Sequence, residues 1–327
     1  MKADADPNLI VYFGGKYVPM HEARIGILTH ALHYGTGVFE GIRAYWDKSA
    51  EELYLLRPRE HYQRWKQNCG ILHIDVPLTS EELCSITIEL AWRNAFHGDL
   101  YIRPLAYKSA ERIGVAIDDQ DSFFIAAVPY GEYLNSENGL HAGVSSWRRI
   151  EDNAIPPRAK ICGAYANSAL AGDEARRSGF DEAIFLNESG HVTEGATCNL
   201  FMMRKGRLVT PAVTDNILEG ITRDSIIELA ARELGLETVE RSIARSELYV
   251  CDELFMTGTA VGLAPVVRVD HRPIANGAIG EVTRRLRQLY ADATHGRLAA
   301  YRKWLLPVYA SSPPEQSAAR AEETSLA

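Results

Sequence analysis

Two α/β domains are predicted by the sequence, and the first of them is organised as α+β. The chain has 327 residues, which is above the usual range of a single domain. Hydrophobic residues make up 46% of it and charged residues 24%, as in ordinary soluble globular proteins. Apolar runs of strand length and helical apolar spacings occur in both halves of the chain, and this mixture favours sheets covered by helices.

The first half is predicted to contain a β-hairpin, three helices and two further strands. The hairpin turns at Gly14-Gly15 between two short apolar runs. The third helix begins after Thr79, a residue suited to capping, and its Leu83, Ile86 and Leu90 share one face. In chain order, the predicted elements are Leu9–Phe13, Lys16–Met20, Ala31–Ala44, Pro58–Cys69, Ser80–Phe96, Leu100–Tyr107 and Ser122–Val128.

The second half is predicted to alternate strands with helices. An amphipathic helix follows Gly220, with Ile226, Ala230 and Leu234 on one face, and Gly235 ends it. The other predicted elements are His141–Ser146, Ala166–Ser178, Glu182–Leu186, a hairpin of Cys198–Arg204 with Arg207–Thr210, Leu254–Met256 and Gly280–Ala291.

The polar segment Tyr130–Asn138 is interpreted as the connection between the domains, because it contains turn-forming residues and is bounded by Pro129 and Gly139. The predicted limits are residues 1–136 for a smaller N-terminal domain and 137–306 for a larger C-terminal domain. Residues 307–327 are predicted to be a disordered tail, because the segment from Ser311 is rich in Ser, Pro, Glu and Ala.

Charge and hydropathy exclude several classes of partner. The net charge is −8 and no block of five Lys and Arg occurs, which argues against nucleic acid or an anionic membrane. No run of 18 apolar residues would span a bilayer, and the N-terminus lacks the apolar stretch of a secretory signal. The five cysteines are odd in number and widely spaced, so we expect a cytoplasmic protein. His30 and His33 are close, but no third ligand nearby completes a metal site.

Lys160 is the candidate nucleophile. An amine that condenses with a carbonyl group needs an apolar, closely packed setting, because desolvation favours its neutral form. Of the eight lysines, Lys160 alone lies among small and apolar neighbours, Ala159 and Ile161–Ala164, whereas the others mostly lie in polar stretches, turns or chain ends. From these neighbours alone, an ordinary lysine at a strand end is the more common explanation.

Two further stretches carry groups that suit a protonated ring nitrogen and a phosphate. Glu194 follows a turn and precedes small residues, so its carboxylate could pair with such a nitrogen; a solvated turn residue is the alternative. Gly220-Ile221-Thr222 begins a helix and Thr257-Gly258-Thr259 ends a strand, where N–H groups and hydroxyls suit a phosphate. Ordinary N-capping explains Thr222 equally well.

Seven motifs, in order, resemble those of the branched-chain aminotransferases. The first is His30-Ala-Leu-His-Tyr-Gly-Thr-Gly-Val-Phe-Glu-Gly-Ile-Arg43. The others are Tyr101-Ile-Arg-Pro-Leu105, Ala159-Lys160 with Gly163 and Tyr165, Glu174-Ala-Arg-Arg177, Glu194-Gly-Ala196 with Asn199-Leu-Phe201, Gly220-Ile-Thr-Arg-Asp224 and Phe255-Met-Thr-Gly-Thr-Ala260. The match runs from about Tyr12 to Val267, and seven ordered motifs are far more specific than any one of them.

The resemblance implies an α/β enzyme of the fourth pyridoxal 5'-phosphate fold type, with the cofactor in the cleft between two domains and most of its contacts in the larger one. It implies a homodimer or higher homo-oligomer. It also implies Lys160 as the catalytic residue, which bonds to the cofactor aldehyde and later moves the proton at the substrate α-carbon. The implied cofactor-binding residues are Arg64, Tyr165, Glu194, Ile221, Thr222 and Thr259. The implied substrate-binding residues are Tyr34, Phe39, Tyr101, Arg103, Tyr133, Thr259 and Ala260.

The implied roles fit the chemistry of these side chains. Glu194 would bind the pyridine nitrogen and Tyr165 the ring hydroxyl, while the fork of Arg64 would grip the phosphate. Arg103 would take the side-chain carboxylate of glutamate. The implied activity is ping-pong transfer of an amino group between L-leucine, L-isoleucine or L-valine and 2-oxoglutarate.

Two departures from the family pattern fall on loops expected to contact the substrate. Lys108–Ile113 replaces a glycine- and methionine-containing segment, and Val261-Gly262 replaces Ala-Glu. They leave open a transaminase of the same fold that acts on D-amino acids or (R)-amines. Arg112 is either a substrate-selecting group or a solvated arginine. In the first case, Arg112→Ala would change the Michaelis constant for one class of substrate far more than for others.

Overall fold

The computed structural model describes residues 6–131 and 136–310, which form two β-sheets with six α-helices. The strands are, in chain order, β1 (Ile10–Phe13), β2 (Lys16–Pro19), β3 (Gly37–Phe39), β4 (Ile42–Asp47), β5 (Glu52–Leu56), β6 (Leu100–Lys108), β7 (Asp121–Pro129), β8 (Leu140–Arg148), β9 (Glu182–Leu186), β10 (His191–Gly195), β11 (Asn199–Arg204), β12 (Arg207–Thr210), β13 (Thr238–Glu240), β14 (Ile243–Ala244), β15 (Glu253–Gly258), β16 (Gly262–Val269), β17 (Arg272–Pro273) and β18 (Leu305–Pro307).

The helices connect and cover these strands. The α-helices are α1 (His30–Tyr34), α2 (Pro58–Ile71), α3 (Ser80–Arg93), α4 (Tyr165–Arg177), α5 (Ile221–Leu234) and α6 (Glu281–Thr294). Short 3-10 helices occupy Met20–Glu22, Cys162–Ala164, Val213–Asp215, Arg245–Tyr249 and Ala299–Trp304. Among residues 6–131 and 136–310, no helix combines the length and the apolar character needed to cross a membrane.

The first sheet is antiparallel and has the order β18-β5-β4-β6-β7-β1-β2, with β3 paired to β6. Helices α2 and α3 pack on it around Trp65, whose side chain is fully buried. Burying a side chain of this kind contributes roughly 2–3 kcal/mol of hydrophobic free energy. Sequential strands and helices on one sheet agree with the α+β organisation predicted for this part of the chain.

The second sheet is mixed and has the order β13-β12-β11-β15-β16-β8-β9-β10-β14, with β17 paired to β16. The pairs β12–β13, β16–β8 and β8–β9 are parallel. Helices α4, α5 and α6 contact it through β8, β9, β15 and β16. The stacked rings of Phe201 and Phe255 face α5 and α6, whereas Leu254 and Met256 enter the apolar cluster on the opposite side.

The C-terminal part of the described chain returns to the first sheet. Strand β18 pairs with β5, and the buried carboxylate of Glu52 accepts hydrogen bonds from the backbone N–H groups of residues 308–310. The predicted domain limit at residue 306 therefore falls inside a strand, and residues 307–310 of the predicted tail are ordered. Residues 311–327 lie outside the described residues. The predicted limit at residue 136 falls between β7 and β8.

Most predicted elements are confirmed, and one is wrong. The first hairpin pairs Phe13 with Lys16, and β9 has the predicted bounds. The predicted helix Ala31–Ala44 is instead the short α1 followed by β3 and β4. Gly35 ends α1 in the left-handed region, at φ 67°, and the β-branched and aromatic residues beyond it pair with β6.

Candidate active site

A cleft of about 510 Å³ lies between the two sheets, and both sheets supply its walls. It contains most of the residues that the sequence motifs marked. The predicted site residues that line it are Phe39, Arg64, Tyr101, Arg103, Lys160, Tyr165, Glu194, Ile221, Thr222, Thr259 and Ala260. The motifs are up to about two hundred residues apart in the chain, so the fold is what assembles them into one site.

Lys160 lies in the connection between β8 and α4, and strand β3 of the first sheet holds it in place. The backbone N–H of Phe39 donates to the Lys160 carbonyl at 3.1 Å, and Val38 forms a β-bridge with Ile161. Lys160 Nζ donates to Tyr165 Oη at 2.8 Å and lies 5.3 Å from the centroid of the Phe39 ring. The amine is thus held by one phenol beside an apolar aromatic face, at the centre of the cleft.

A close contact between two glycines brings the end of α1 against the backbone that follows Lys160. Gly163 N donates to Gly35 O at 3.1 Å. A Cβ atom at Gly35 would lie 2.6 Å from Gly163 Cα, and the φ of Gly35 is positive. Glycine is therefore required at position 35.

Burial by itself does not distinguish Lys160 from every other lysine. Lys108 in β6 is 1% exposed, although its sequence neighbours are polar. Its Nζ donates to the carbonyl oxygens of His73 and Asp118, both at 2.6 Å, and pairs with Asp121 at 2.8 Å. Two carbonyl oxygens accept hydrogen bonds from Lys108 and the carboxylate adds an ion pair, whereas Lys160 faces the cleft with one hydrogen-bond partner among the described residues.

Glu194 is a buried carboxylate at one end of the cleft. Its Oε1 lies 2.8 Å from Arg149 Nη2, and its Oε2 accepts from Asn199 Nδ2 at 3.0 Å and from the Leu218 N–H at 3.1 Å. Burial raises the pKa of Glu194, and the positive charge of Arg149 opposes that rise. A solvated turn residue, the alternative open from sequence, is wrong, because Glu194 is 4% exposed.

Arg64 lies at the opposite end of the cleft, on α2, and a buried carboxylate holds it. Its Nε and Nη2 donate to the two oxygens of Glu40 at 2.7 and 2.9 Å, and its Nη1 donates to the Glu219 carbonyl at 2.6 Å. His61 Nδ1 lies 2.9 Å from the same carboxylate. Burial alone would raise the pKa of Glu40, but Arg64 and His61 together outweigh it and hold that pKa well below its usual range.

The first turn of α5 completes this end of the site. Gly220 precedes the helix and no side chain caps it, so the N–H groups of Ile221 and Thr222 have no side-chain acceptor there. Arg57 Nη1 donates to Asp224 at 2.7 Å and ties this turn to the start of α2. Free N–H groups at the positive end of a 14-residue helix, with Arg64 nearby, form a site for an anion such as phosphate.

An aromatic and basic wall faces Lys160 from the first sheet. Arg103 Nη2 donates to Tyr101 Oη at 3.0 Å, and its guanidinium carbon lies 4.4 Å from the centroid of the Phe39 ring. Thr259 and Ala260 follow β15 and line the cleft from the second sheet. This arrangement presents an apolar ring and a fixed cation side by side, which suits ligands with either an apolar or an acidic side chain.

Two described residues that were singled out from sequence, Tyr34 and Arg112, do not line this cleft. Tyr34 lies on α1, and its hydroxyl accepts from the Gly114 N–H at 3.0 Å rather than lining the pocket of its own chain. Tyr133 falls within residues 132–135, outside the described residues. Arg112 has a half-exposed side chain that pairs with Asp118 at 2.8 Å. Its position agrees with the interpretation of a solvated arginine.

The departure at Val261-Gly262 has a structural explanation. Gly258 pairs with Gly262 across the hairpin of β15 and β16, and Gly262 has φ 63°. A left-handed residue is needed at this tight turn, and glycine adopts that conformation without strain. The replacement therefore shapes the loop that carries Thr259 and Ala260.

Arg149 and Glu40 are site residues that the sequence interpretation missed. Arg149 stands next to Arg148 in the sequence, and neighbouring arginines cannot be told apart locally, yet Arg148 is exposed and Arg149 is 8% exposed. Glu40 had a usable signal, since it is a carboxylate within the apolar run around Val38 and Ile42. A charge in such a run has to find a partner when the strands become buried.

Comparison with known proteins identifies the family. The family model for class IV amino-transferases matches residues 37–269. The chain is 48% identical over 299 residues to a probable branched-chain-amino-acid aminotransferase of Aquifex aeolicus, covering 91% of this chain and 96% of that protein. It is 40% identical over 300 residues to the branched-chain-amino-acid aminotransferase of Escherichia coli K12, covering 90% and 96%.

Solved structures agree with this assignment. The branched-chain aminotransferase of Thermoproteus uzoniensis, solved with norvaline, has a TM-score of 0.88 at 43% identity and covers 92% of this chain and 99% of its own. The branched-chain amino acid aminotransferase of Thermobaculum terrenum, in its PLP form, has a TM-score of 0.88 at 39% identity and covers 93% and 99%. The chain described here therefore belongs to the class IV aminotransferases, with the fold of the branched-chain enzymes.

Proposed function

We propose that this chain is a transaminase that uses pyridoxal 5'-phosphate to move the amino group between L-branched-chain amino acids and 2-oxoglutarate. The observation that carries the proposal is that Lys160, Glu194 and Arg64 line one cleft, which brings together an amine, a buried carboxylate and a guanidinium. Homology over about nine-tenths of the chain supports the same activity.

The residues of the cleft fit the proposed cofactor. Glu194 has an oxygen with a free acceptor site for a pyridine N–H, and Tyr165 has a phenol for the ring oxygen. Arg64 and the uncapped first turn of α5, with Ile221 and Thr222, offer donors for the phosphate. When bound, the cofactor supplies an electron sink for negative charge at the substrate α-carbon.

Lys160 is the residue that would perform the proton transfers. Its Nζ would bond to the cofactor aldehyde at rest and, once displaced by the incoming amino acid, would move a proton at the substrate α-carbon. The hydrogen bond from Nζ to Tyr165 Oη orients the amine within the cleft. Removing an α-proton from one amino acid and returning a proton to a second 2-oxo acid gives two half-reactions, and hence ping-pong kinetics.

Substrate selection would come from the wall opposite Lys160. The ring of Phe39 would contact an apolar side chain, and Arg103 would pair with the side-chain carboxylate of glutamate. The backbone N–H groups of Thr259 and Ala260 would hold the carboxylate common to both substrates. One pocket with an apolar face and a cation can thus serve two unlike amino acids in turn.

An exposed apolar surface supports the proposal that the enzyme is a homodimer or a higher homo-oligomer. It comprises two segments joined by the hydrogen bond between Tyr34 and Gly114. Its exposed hydrophobic residues are Ile25, Ile27, Leu28, Leu32, Ile113, Val115 and Ile117. Contiguous exposed apolar residues of this number are typical of interfaces. Light scattering that gives the monomer mass at micromolar concentration would contradict it.

A cytoplasmic location is proposed on a separate observation. All five cysteines are free thiols, and burial raises the pKa of each of them. Unpaired cysteines are typical of proteins that work in a reducing compartment.

The half-reaction of the purified holoenzyme tests the proposed activity. L-Leucine, D-alanine and (R)-1-phenylethylamine are added separately while the visible absorbance band is followed, with Lys160→Ala as the control. We expect L-leucine to remove the band fastest and the control to lack it. The alternative, a transaminase for D-amino acids or (R)-amines, requires one of the other two amines to react faster. The relatives described above, all named as branched-chain enzymes, give that alternative no support.

A further inference from the structure

Arg149 is fixed in direct contact with Glu194 by groups from several elements. It follows β8 directly and is 8% exposed. Its Nη2 lies 2.8 Å from Glu194 Oε1, and its Nη1 donates to Ser168 Oγ at 3.3 Å. Its guanidinium carbon lies 5.5 Å from the centroid of the Phe185 ring. These contacts with β10, α4 and β9 hold the guanidinium beside the carboxylate.

The Glu194 carboxylate has acceptor capacity left on the oxygen that Arg149 holds. A carboxylate has about four lone-pair sites, two on each oxygen. Oε2 already accepts from Asn199 Nδ2 and the Leu218 N–H. Oε1 lies 2.8 Å from Arg149 Nη2 in an ion pair, and it accepts no hydrogen bond from within residues 6–131 and 136–310. A ring N–H that enters this end of the cleft would therefore bond to Oε1, next to the guanidinium.

Several charges act on Glu194, and Arg149 is the strongest of them. Burial opposes the ionised carboxylate, so it raises the pKa of Glu194. Arg149 acts in the other direction, followed by the Leu218 N–H and by the more distant charges of Lys160 and Arg223. Arg149 is thus the largest of the groups that oppose the effect of burial, and its loss would raise the pKa of Glu194 further.

We propose that Arg149 is a positioning residue that keeps Glu194 ionised, so that the proton shared with the cofactor lies on the ring nitrogen. This inference rests on the proposed function. In the transfer, the carboxyl O–H bond breaks and a ring N–H bond forms, with no other change. A cation in contact with the carboxylate stabilises its negative charge more than it opposes a positive charge one hydrogen bond farther away. Arg149 would thereby maintain the electron sink, because a protonated ring withdraws electrons better.

Matched variants separate this role from simple packing. Arg149→Met removes the charge and keeps much of the volume, whereas Arg149→Lys keeps the charge. Each is loaded with pyridoxal 5'-phosphate labelled with nitrogen-15 in the ring, and the nitrogen resonance is recorded. The L-leucine half-reaction is then measured in both variants and in Glu194→Gln with and without Arg149→Met.

We expect a protonated ring nitrogen in the wild type and in Arg149→Lys, and an unprotonated one in Arg149→Met. The half-reaction should slow by about 10- to 100-fold in Arg149→Met, as for loss of one interaction with a charged group. In the Glu194→Gln background, Arg149→Met should change the rate by less than about 3-fold, because the two residues act as one unit. If Arg149→Met does not fold, Arg149→Gln takes its place in every measurement.

A protonated nitrogen in Arg149→Met, or equal rate losses in the presence and absence of the Glu194 carboxylate, would overturn the inference and leave only a packing role. Failure of the proposed function looks different. In that case the wild type itself would bind no cofactor, or would bind it and leave L-leucine unreacted.

Discussion

The two ends of the cleft contain the same pair of residue types in opposite order. At one end, Glu194 offers an acceptor to the cleft and Arg149 holds it. At the other end, Arg64 faces the cleft and Glu40, fully buried, holds it. Each pair neutralises its own charge, so the molecule can bury both. What each end presents to a ligand differs, a carboxylate in one case and a guanidinium in the other.

The pKa values of the two carboxyl groups are shifted in opposite directions, and the number of contacts with cations explains the difference. Glu40 receives two hydrogen bonds from Arg64 and lies 2.9 Å from His61 Nδ1. Glu194 has a single contact with Arg149. The pKa of Glu40 is therefore held low, whereas burial raises that of Glu194. Both carboxyl groups are buried, but neighbouring cations offset that burial more strongly at Glu40 than at Glu194.

Removal of the anchor carboxylate should have the largest effect. In Glu40→Ala, Arg64 and the buried His61 lose their shared partner, and we expect the free energy of unfolding to fall by about 3–5 kcal/mol. Glu194→Ala should lose less free energy of unfolding, because fewer contacts with cations offset the burial of the Glu194 carboxylate. Urea denaturation of both apo variants measures this, and an equal or greater loss in Glu194→Ala would contradict the comparison.

The second-largest effect is expected from the guanidinium of Arg64, beside the proposed phosphate site. Arg64→Lys keeps the charge but cannot grip Glu40 and a phosphate together, so pyridoxal 5'-phosphate should bind more weakly by about 2 kcal/mol. Pyridoxal, which lacks the phosphate, is the matched ligand and should bind both proteins alike. A parallel loss for both ligands, measured by absorbance titration, would show that Arg64 acts on the ring or on the fold instead.

The pH dependence of apo stability should have opposite signs at the two ends. Glu40 has a lowered pKa, so its contribution is present above the unfolded-state pKa of about 4.3 and disappears as pH falls. The advantage of the wild type over Glu40→Gln should therefore shrink in acid. Glu194 has a raised pKa, so its favourable contribution is present at low pH and disappears as pH rises. Relative to the wild type, Glu194→Gln should gain stability as pH rises. Thermal unfolding of the wild type and both variants is measured from acid to neutral pH. If the stabilities of the two variants relative to the wild type change with pH in the same direction, the distinction is false.

An exposed pair should contribute least. Arg112 and Asp118 are 2.8 Å apart, but the Arg112 side chain is 51% exposed. Arg112→Ala should change the free energy of unfolding by less than about 0.5 kcal/mol, because water and salt screen such pairs. Michaelis constants of the same variant for leucine and 2-oxoglutarate test the remaining hypothesis that Arg112 selects substrates. A stability loss comparable to that of Glu40→Ala would contradict the ranking by burial.

Local patterns predicted the elements whose signals are local. Strand Glu182–Leu186 is a continuous apolar run, and α5 has a helical apolar face ended by Gly235. The predicted helix Ala31–Ala44 failed because three glycines interrupt it and because β6 supplies hydrogen bonds that no local pattern reveals. The return of β18 to the first sheet was missed for the same reason.

The site residues also divide into those that the sequence could mark and those that it could not. The family motifs marked the side chains that face the cleft, and the structure brings Lys160, Tyr165 and Glu194 together as predicted. The residues behind them could not be assigned, because their identity depends on which strand lies next to which. Arg149 and Glu40 acquire their roles only through contacts across 45 and 24 residues of chain.

The location of the covalently bound cofactor tests the central claim most directly. The holoenzyme is treated with borohydride to fix the cofactor to its lysine, digested, and mapped by mass spectrometry. We predict the phosphopyridoxyl group on Lys160, and its absence after conversion by excess L-leucine. Labelling of Lys108, which is buried in β6, or of no lysine at all, would contradict the account of this cleft.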